Sequence, residues 1–377
     1  MSKTVLIVGA SGLIGTATVD AFLDAGWAVI ASSRRKPETF STREFEHLPI
    51  DLLDEKACEQ AFGSLAHVTH VVYAAVYEMP GLISGWSDPQ QMETNRRMLC
   101  NVLEPLSQAS RIEHVTVMQG TKAYGMQPRR EGDAVRYRPM RIPARESAPR
   151  VEHPNFYWLQ EDYIREKAQQ RGYAWTILRP TIVIGPNVGV VMNTIPVIGV
   201  YASLCREEGL PFAYPGHVPF VREAADVRLI AGACVWAANT PAAHGEHFNL
   251  TNGEVFSWRD LWPSITHFFG LELSPDRPLK LAEYLPSRAS LWDHMVEKHG
   301  LRKLSMAQIL GESHHSADQR FGYGLQEPPP PVFVSTVKIK QAGYTDTYDT
   351  EQAIKHWLGM LMDRKIIPRA AGGPEGC

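Results

Sequence analysis

The sequence predicts an α/β protein whose first part is a doubly wound parallel sheet, followed by a smaller second region. Two observations carry this prediction. Short apolar strands alternate with amphipathic helices in the first half of the chain, and a glycine-rich turn joins the first strand to the first helix. Strands that are apolar throughout are typical of a parallel sheet with helices on both faces. Right-handed crossovers between such strands then give the doubly wound arrangement.

The order of elements follows from the apolar runs and from the helical periodicity between them. Amphipathic helices are predicted at Ile14–Ala25, Pro89–Ala109 and Tyr157–Arg171. Strands are predicted at Thr4–Gly9, Ala28–Ser32, His47–Leu52, Val68–Ala75, Val115–Gly120 and Ala174–Ile184.

The alternation stops near Gly185, where prolines become frequent. Helix-start signals return later, at Ser257 with Asp260 and at Asp349 with Gln352. We therefore predict a nucleotide-binding domain from residues 1–185 and about 221–252. A substrate-binding or lid region is predicted from about 186–220 and 253–377.

Composition excludes several classes of protein. The 377 residues include 38 basic and 41 acidic side chains, so the net charge of −3 gives no general attraction to nucleic acid or an anionic membrane. The uncharged stretch between Arg179 and Arg206 contains three prolines, which argue against a membrane span. Five scattered cysteines and no zinc-type histidine spacing predict neither disulfides nor a metal site, and no signal peptide is apparent. A cytoplasmic location is expected.

The turn Gly9-Ala-Ser-Gly12-Leu-Ile-Gly15 lies between the first strand and the first helix. Gly9 would allow the tight turn, Gly12 the close approach of a pyrophosphate, and Gly15 the packing of helix on strand. The alternative is a glycine turn without a ligand. The spacing resembles that of extended short-chain dehydrogenase/reductases, whose first domain is of the Rossmann type. The contacts expected from this turn are Gly9, Ser11, Gly12, Leu13, Ile14 and Gly15.

The end of the second strand indicates which dinucleotide binds. NAD sites usually carry an acidic residue about 20 positions after the glycine turn, but Ser33-Arg34-Arg35 stands there instead. A guanidinium matches a 2′-phosphate, so NADPH/NADP⁺ is the expected cofactor. The alternative is a solvated basic turn. In this superfamily Asp51 and Leu52 would lie near the adenine.

A Tyr-x-x-x-Lys pair, the usual catalytic motif of short-chain dehydrogenases, is present at Tyr163 and Lys167. Tyr163 would lie about two turns into its helix, roughly 9–12 Å from the end where ligands bind. Tyr157 is at the right level, but the residue four positions later is Glu161. The required cation could come from Lys122, directly after the fifth strand.

Several longer motifs surround these residues. They include Gln-Gly-Thr-Lys122-x-Tyr124-Gly, Pro154-Asn-Phe-Tyr157-Trp, Arg179-Pro180, Phe248-Asn-x-Thr-Asn252 and Ser335-x-x-Lys338. These motifs resemble those of the progesterone 5β-reductase/iridoid synthase-like family, and the resemblance covers nearly the whole chain. It implies that Tyr157 and Lys122 are the catalytic pair of an NADPH-dependent enone or enal reductase. Further cofactor contacts are expected from Ala74, Ala75, Gln119, Lys122, Tyr157, Pro180, Ile182 and Met192, and substrate contacts from Tyr124, Phe156 and Tyr201.

The sequence leaves three functional hypotheses. The first is reduction of the C=C bond of a small unsaturated carbonyl compound by 1,4-hydride addition. The second is a carbonyl reductase or nucleotide-sugar epimerase on the same scaffold, since Thr181-Ile-Val-Ile-Gly185-Pro186 is similar to those enzymes. The third is a non-enzymatic NADPH sensor. A homodimer is left open.

Overall fold

The computed structural model describes residues 3–79, 86, 88–126, 128–131, 134–137 and 139–369. The chain forms two compact units. Unit 1 comprises residues 1–181, 227–251 and 332–346, and unit 2 comprises residues 182–226, 252–331 and 347–377.

The strands are short, between two and seven residues. They are β1 Thr4–Val8, β2 Ala28–Ser32, β3 Glu46–Leu48, β4 His70–Tyr73, β5 His114–Met118, β6 Pro128–Glu131, β7 Ala134–Tyr137, β8 Ala174–Pro180, β9 Ile182–Ile184, β10 Val221–Arg222, β11 Ala224–Asp226, β12 Glu246–Leu250 and β13 Phe256–Ser257.

The helices range from one turn to more than five. They are α1 Leu13–Asp24, α2 Glu55–Phe62, α3 Pro89–Ala109, α4 Phe156–Arg171, α5 Thr194–Glu207, α6 Val227–Asn239, α7 Trp258–Phe268, α8 Leu281–Tyr284, α9 Ala289–Lys298, α10 Met306–Leu310, α11 Ser313–Phe321, α12 Val337–Gln341 and α13 Thr350–Asp363. Short 3₁₀ turns occur at Thr121–Tyr124, Pro241–Ala243 and Pro286–Arg288.

Within the described residues of unit 1, seven strands form one parallel sheet in the order β12-β8-β5-β4-β1-β2-β3. Helices α2, α3 and α4 pack side by side, and α1 packs against α6. The apolar core that joins α2–α4 to the sheet includes Leu6, Val71 and Val115. This architecture confirms the predicted doubly wound parallel sheet.

Unit 2 has two small strand pairs among helices. β9 pairs in parallel with β11, and β10 pairs antiparallel with β13. The centre of the unit is aromatic: Phe212 stacks on Trp262 with ring centroids 4.6 Å apart, and Phe321 meets Trp262 edge-on at 5.5 Å. Large buried rings in offset and edge-on contact supply much of the apolar burial that a small unit needs.

Helix-start signals in the sequence correctly located two helices. Ser257 is the N-cap of α7 and accepts a hydrogen bond from the N–H of Asp260. Asp349 is the N-cap of α13 and accepts a hydrogen bond from the N–H of Gln352.

Within the described residues, no helix combines the length and the apolar character that a membrane crossing requires.

Two predicted boundaries differ from the structure. The strand predicted at Ala174–Ile184 is divided at Thr181, so that β8 belongs to the large sheet and β9 to unit 2. Residues 332–346 belong to unit 1 because Val334 bridges to Ala144 and the Tyr344 hydroxyl donates to Leu229 O. Neither contact could be recognised from local sequence, since each joins residues far apart in the chain.

Two buried histidines lie at the amino ends of neighbouring strands. Burial lowers the pKa of His70, on β4, to about 4, and that of His114, on β5, to about 3. His114 also lies 5.3 Å, between ring centroids, from His244, and its Nε2 is 2.8 Å from the hydroxyl of Thr176. Both rings are therefore neutral in the folded protein at neutral pH.

These histidines should make the protein sensitive to mild acid. Below pH 6.5 the unfolded chain takes up protons on both rings, whereas the folded protein does not until pH falls to about 4 and 3. The free energy of unfolding should therefore fall between pH 6.5 and 4, by on the order of 1 kcal/mol per histidine at pH 5.5. Urea unfolding at pH 7.5 and 5.5 measures this. In the double variant His70→Gln/His114→Gln, the free energy of unfolding should differ much less between the two pH values. The control His267→Gln, at an exposed position of α7, should show the same difference as the wild-type protein. Equal pH dependence in the wild-type protein, the double variant and the control would contradict the role assigned to the two buried histidines.

Candidate active site

The glycine turn is packed too closely to accept side chains at two of its positions. Gly9 has a φ of 82°, and a Cβ there would lie 2.7 Å from the backbone nitrogen of Ala75. A Cβ on Gly15 would collide with Gly9 O and with Ala10 Cα. The turn therefore holds α1 directly against the ends of β1 and β4.

The start of α1 fits a pyrophosphate. Gly12 is the N-cap and has no side chain with which to cap the helix, and the first turn, residues 13–16, contains no acidic residue. Main-chain N–H groups and the helix dipole then form the surface that a diphosphate prefers. Ser11, Leu13 and Ile14 are half-buried around it.

The turn after β2 presents two arginines to solvent. Ser33 is buried, and its hydroxyl donates to Arg35 O at 2.6 Å, while His47 Nε2 lies 3.0 Å from Ser33 O. Arg34 and Arg35 are exposed, and in the part of the chain that the structure describes neither forms an ion pair with a carboxylate. The guanidiniums of Arg34 and Arg35 are thus accessible to a ligand on a turn whose backbone is fixed.

Other predicted cofactor residues occupy different environments. Ala74 and Ala75 follow β4 beside the glycine turn, since Ala74 N donates to Val8 O at 2.9 Å. Asp51 is exposed, but Leu52 is part of the apolar core of unit 1, so its side chain is structural. Ile182 and Met192 belong to unit 2.

Tyr157 lies in the first turn of α4, as predicted. Asn155 caps this helix: its Oδ1 accepts from Tyr157 N at 3.0 Å, and its Nδ2 donates to Lys122 O at 3.0 Å. A Cβ on Gly120 would lie 3.4 Å from the Tyr157 hydroxyl. The phenol therefore reaches the loop that follows β5, and Asn155 ties that loop to the helix.

Lys122 belongs to the same cluster of side chains. Its Nζ lies 3.1 Å from the ring centroid of Trp86, and that ring meets Tyr157 edge-on at 5.3 Å. Phe156 is buried against Trp86, with ring centroids 4.7 Å apart. The structure thus gathers Lys122 and Tyr157 around one indole, whose face attracts the ammonium.

The surroundings keep the Tyr157 phenol protonated. Burial raises its pKa well above the ordinary value, the Glu78 carboxylate raises the pKa further, and the Arg179 guanidinium opposes both. Glu78 accepts a hydrogen bond from Trp86 Nε1 at 2.8 Å. At neutral pH Tyr157 is therefore a hydrogen-bond donor and not a base.

The Tyr163 and Lys167 pair lies elsewhere, against α3. The Tyr163 hydroxyl donates to Glu104 Oε1 at 3.1 Å, and Lys167 Nζ forms an ion pair with the same oxygen at 2.8 Å. Tyr163 is also part of the apolar core. This pair joins two helices on one face of the sheet.

Two residues predicted to contact substrate lie in buried environments. Tyr201 is completely buried in the aromatic centre of unit 2, where its hydroxyl donates to Ala213 O at 3.2 Å. Tyr124 is buried in unit 1, and its hydroxyl donates to Asn249 Oδ1 at 2.6 Å. Both hydroxyls are engaged by groups distant in sequence, which no local pattern could reveal.

Sequence reasoning missed the residues that support this site. Asn155 links Tyr157 to Lys122, and a buried polar cluster around Glu161 and Arg179 lies beside them. The sequence signal for the cluster was the glutamate four residues after Tyr157, where a lysine is usual.

Among the described residues, no group of three or more His, Cys, Asp or Glu side chains could hold a metal ion.

A family model described as the NAD dependent epimerase/dehydratase family matches residues 5–251. The chain belongs to this family. Its glycine turn and its parallel sheet are thus those of a nicotinamide dinucleotide enzyme scaffold.

Curated relatives are similar over almost the full length. An enzyme named (S)-8-oxocitronellyl enol synthase from Camptotheca acuminata is 28% identical, with 96% of this chain and 93% of the relative covered. A 3-oxo-Delta(4,5)-steroid 5-beta-reductase from Arabidopsis thaliana is 29% identical, with 96% and 92% covered. These relatives confirm the resemblance inferred from the sequence motifs.

Solved structures are similar in fold. UDP-glucose 4-epimerase from Thermotoga maritima, with UDP-glucose, is 18% identical with a TM-score of 0.64 and covers 96% of this chain and 99% of its own. The Thermus thermophilus enzyme, complexed with NAD, is 20% identical with a TM-score of 0.60 and covers 94% and 98%. At these identities the likeness concerns the fold alone.

The tight glycine turn gives a direct test. In Gly15→Ala the new methyl group meets backbone atoms that cannot move independently of β1, so the free energy of unfolding should fall by about 1–3 kcal/mol. Dinucleotide affinity, measured by fluorescence titration, should fall as well. Ala17→Ser, which adds an atom of similar size at a half-buried position of α1, should leave both nearly unchanged. Equal behaviour of the two variants would contradict the proposed role of the turn.

Proposed function

We propose that this protein is an NADPH-dependent ene-reductase that adds hydride to the β-carbon of an unsaturated carbonyl compound. The observation that carries the proposal is the neutral, buried Tyr157 at the start of α4, gathered with Lys122 around Trp86. The ordinary Tyr-x-x-x-Lys pair is engaged with Glu104 instead. The names of the relatives, which include a steroid 5-beta-reductase, support the same chemistry.

The chemistry follows from the charge that develops on the substrate. A bound dihydronicotinamide supplies the hydride. As the β-carbon accepts it, negative charge moves to the carbonyl oxygen, and the Tyr157 hydroxyl donates a hydrogen bond to that oxygen. A preformed donor in a buried site stabilises such charge strongly, because it need not reorganise as water must. The proton that completes the saturated product reaches the α-carbon from water.

Lys122 and Asn155 support this donor. The Lys122 ammonium, held on the face of Trp86, places positive charge in the cluster that contains Tyr157. Asn155 holds the backbone of both residues, so the phenol and the amine keep a common position. Precise placement of a donor is worth as much as its chemical nature.

Two arginines favour NADPH over NADH. Arg34 and Arg35 lie where an NAD site would carry a carboxylate on the ribose, and both are exposed on a turn fixed by Ser33. A guanidinium donates several hydrogen bonds in one plane, which matches a phosphate.

The reaction itself is tested by identifying products. We expect NADPH oxidation with 2-cyclohexenone or progesterone, and the product should be the saturated ketone. An alcohol would instead indicate a carbonyl reductase, and tight NADPH binding without any turnover would indicate a sensor; either result would overturn the proposal.

Removing the phenol hydroxyl should affect turnover and little else. In Tyr157→Phe, kcat should fall by about 10²–10³, the effect of losing one oxyanion donor, while the Kd for NADPH stays within about twofold. Tyr163→Phe is the matched control, because it removes the same group from the same helix. The choice of tyrosine would be wrong if the control lost activity and Tyr157→Phe did not.

Cofactor preference should depend on the two arginines. The wild-type protein should bind NADPH more tightly than NADH, and Arg34→Ala/Arg35→Ala should weaken NADPH binding by about 10- to 100-fold with little change for NADH. Arg111→Ala, at an exposed position just before β5, serves as the control. Isothermal titration gives both affinities, and equal affinities in the wild-type protein would refute the NADPH assignment.

A further inference from the structure

A buried polar cluster lies beside the proposed catalytic pair within unit 1. We call it the Glu161 cluster. Its members are nearly inaccessible to solvent and come from α4, β8, β12 and the segment that follows β5. They are Gln119, Tyr124, Glu161, Arg179, His247 and Asn249.

Glu161 is the acidic member of this cluster. It is 2% exposed, and its Oε2 accepts from Arg179 at 3.2 Å. Its Oε1 lies 3.0 Å from Arg150 and 2.8 Å from Arg165. Burial by itself would raise the pKa of Glu161, but the His247 ring 3.0 Å away, the Arg150 guanidinium and the charge of Arg179 lower it to about 2. Glu161 is therefore a carboxylate, compensated on several sides.

Arg179 uses each part of its guanidinium. One terminal nitrogen donates to Glu161, the other donates to the Tyr124 hydroxyl at 3.3 Å, and Nε donates to Gln119 Oε1 at 3.0 Å. Gln119 Nε2 in turn donates to Tyr157 O at 3.2 Å. A single planar cation thus joins β8 to the end of β5 and, through Gln119, to the first turn of α4.

We propose that Arg179 is a positioning residue for the reaction, anchored by Glu161, and that it fixes Tyr157 through Gln119. This inference rests on the proposed function, because it assigns Arg179 a role toward the donor of that reaction. Arg179 touches neither substrate nor cofactor in this role; it acts by holding the backbone of Tyr157.

The position of Glu161 explains why an arginine is needed. In the usual Tyr-x-x-x-Lys arrangement a lysine follows the tyrosine by four residues, but here that position carries a negative charge. An uncompensated carboxylate there would oppose negative charge on the substrate oxygen. Arg179 neutralises it together with Arg150 and Arg165, and the Arg179 guanidinium also lowers the pKa of Tyr157 against the effects of burial and Glu78.

Lysine could not replace this arginine. A lysine ammonium is a compact charge on a flexible chain, whereas the guanidinium is a rigid fork. Arg179→Lys keeps the charge beside Glu161 but cannot maintain the separate bonds to Gln119 and Tyr124. A purely electrostatic contribution would survive this substitution, and a positioning contribution would not.

The experiment compares Arg179→Lys with Arg165→Gln. Arg165 bonds to the same glutamate from the surface of α4, with its side chain half exposed, so it is a matched control. We expect Arg179→Lys to lower kcat with 2-cyclohexenone by about 10- to 100-fold. The Kd for NADPH should change by less than about twofold, and Arg165→Gln should resemble the wild-type protein.

A second readout does not depend on turnover. In protein labelled with ¹³C at tyrosine Cζ, the resonance that disappears in Tyr157→Phe belongs to Tyr157. Arg179→Lys should shift this resonance and Arg165→Gln should not. If Arg179→Lys does not fold, Gln119→Leu replaces it, because it breaks the link to Tyr157 but retains the ion pair; the same shift and loss of kcat are expected.

The outcomes separate the two proposals. An unmoved Tyr157 resonance with unchanged kcat in Arg179→Lys overturns the positioning role, even if the wild-type protein reduces enones. Absence of enone reduction by the wild-type protein refutes the proposed function, whereas a shifted Tyr157 resonance would still support the link through Gln119.

Discussion

Parallel pairing of the strands in unit 1 is the constraint on which the candidate site depends. Register pairs Val8 with Tyr73, Tyr73 with Val117, and Met118 with Leu178, so neighbouring strands end at one edge of the sheet. The glycine turn, the alanines after β4 and the loop with Lys122 all follow these ends. Because the chain must then return along a helix, helix amino termini come to the same edge, where their dipoles favour anions. The candidate site therefore consists of the loops and helix starts that follow the strand ends at this edge of the sheet.

Burial of charge is the second organising feature. Glu161 and Arg179 are both nearly inaccessible to solvent, which is costly unless every polar atom is satisfied. The structure meets that cost with hydrogen bonds to residues that the sheet already places nearby, such as Gln119 and Tyr124. An arrangement of this kind is rigid, because moving any member leaves a charge without its partner. Such rigidity would suit the role proposed for the Tyr157 phenol, which requires a fixed position.

Much of unit 1, and two helix starts of unit 2, could be predicted from the sequence because their signals are local. Apolar runs, the Gly9–Gly15 turn and the helix caps at Ser257 and Asp349 each depend on a few consecutive residues. Local signals do not reveal the features that long-range contacts determine. The break at Thr181, the return of residues 332–346 to unit 1, and the burial of Tyr124 and Tyr201 all depend on partners more than ten residues away, and most of them on partners far more distant.

The sequence by itself determined the fold class, the glycine turn, the absence of an acidic residue after β2, and the level of Tyr157 on its helix, since strand and helix periodicity place these residues directly. The tertiary structure decided that Tyr163 faces Glu104, that Lys122 lies on Trp86, and that Arg179 links Glu161 to Gln119. The physical reason is that a side chain's charge state and partners depend on what the fold buries beside it. Residue spacing along one helix does not contain that information.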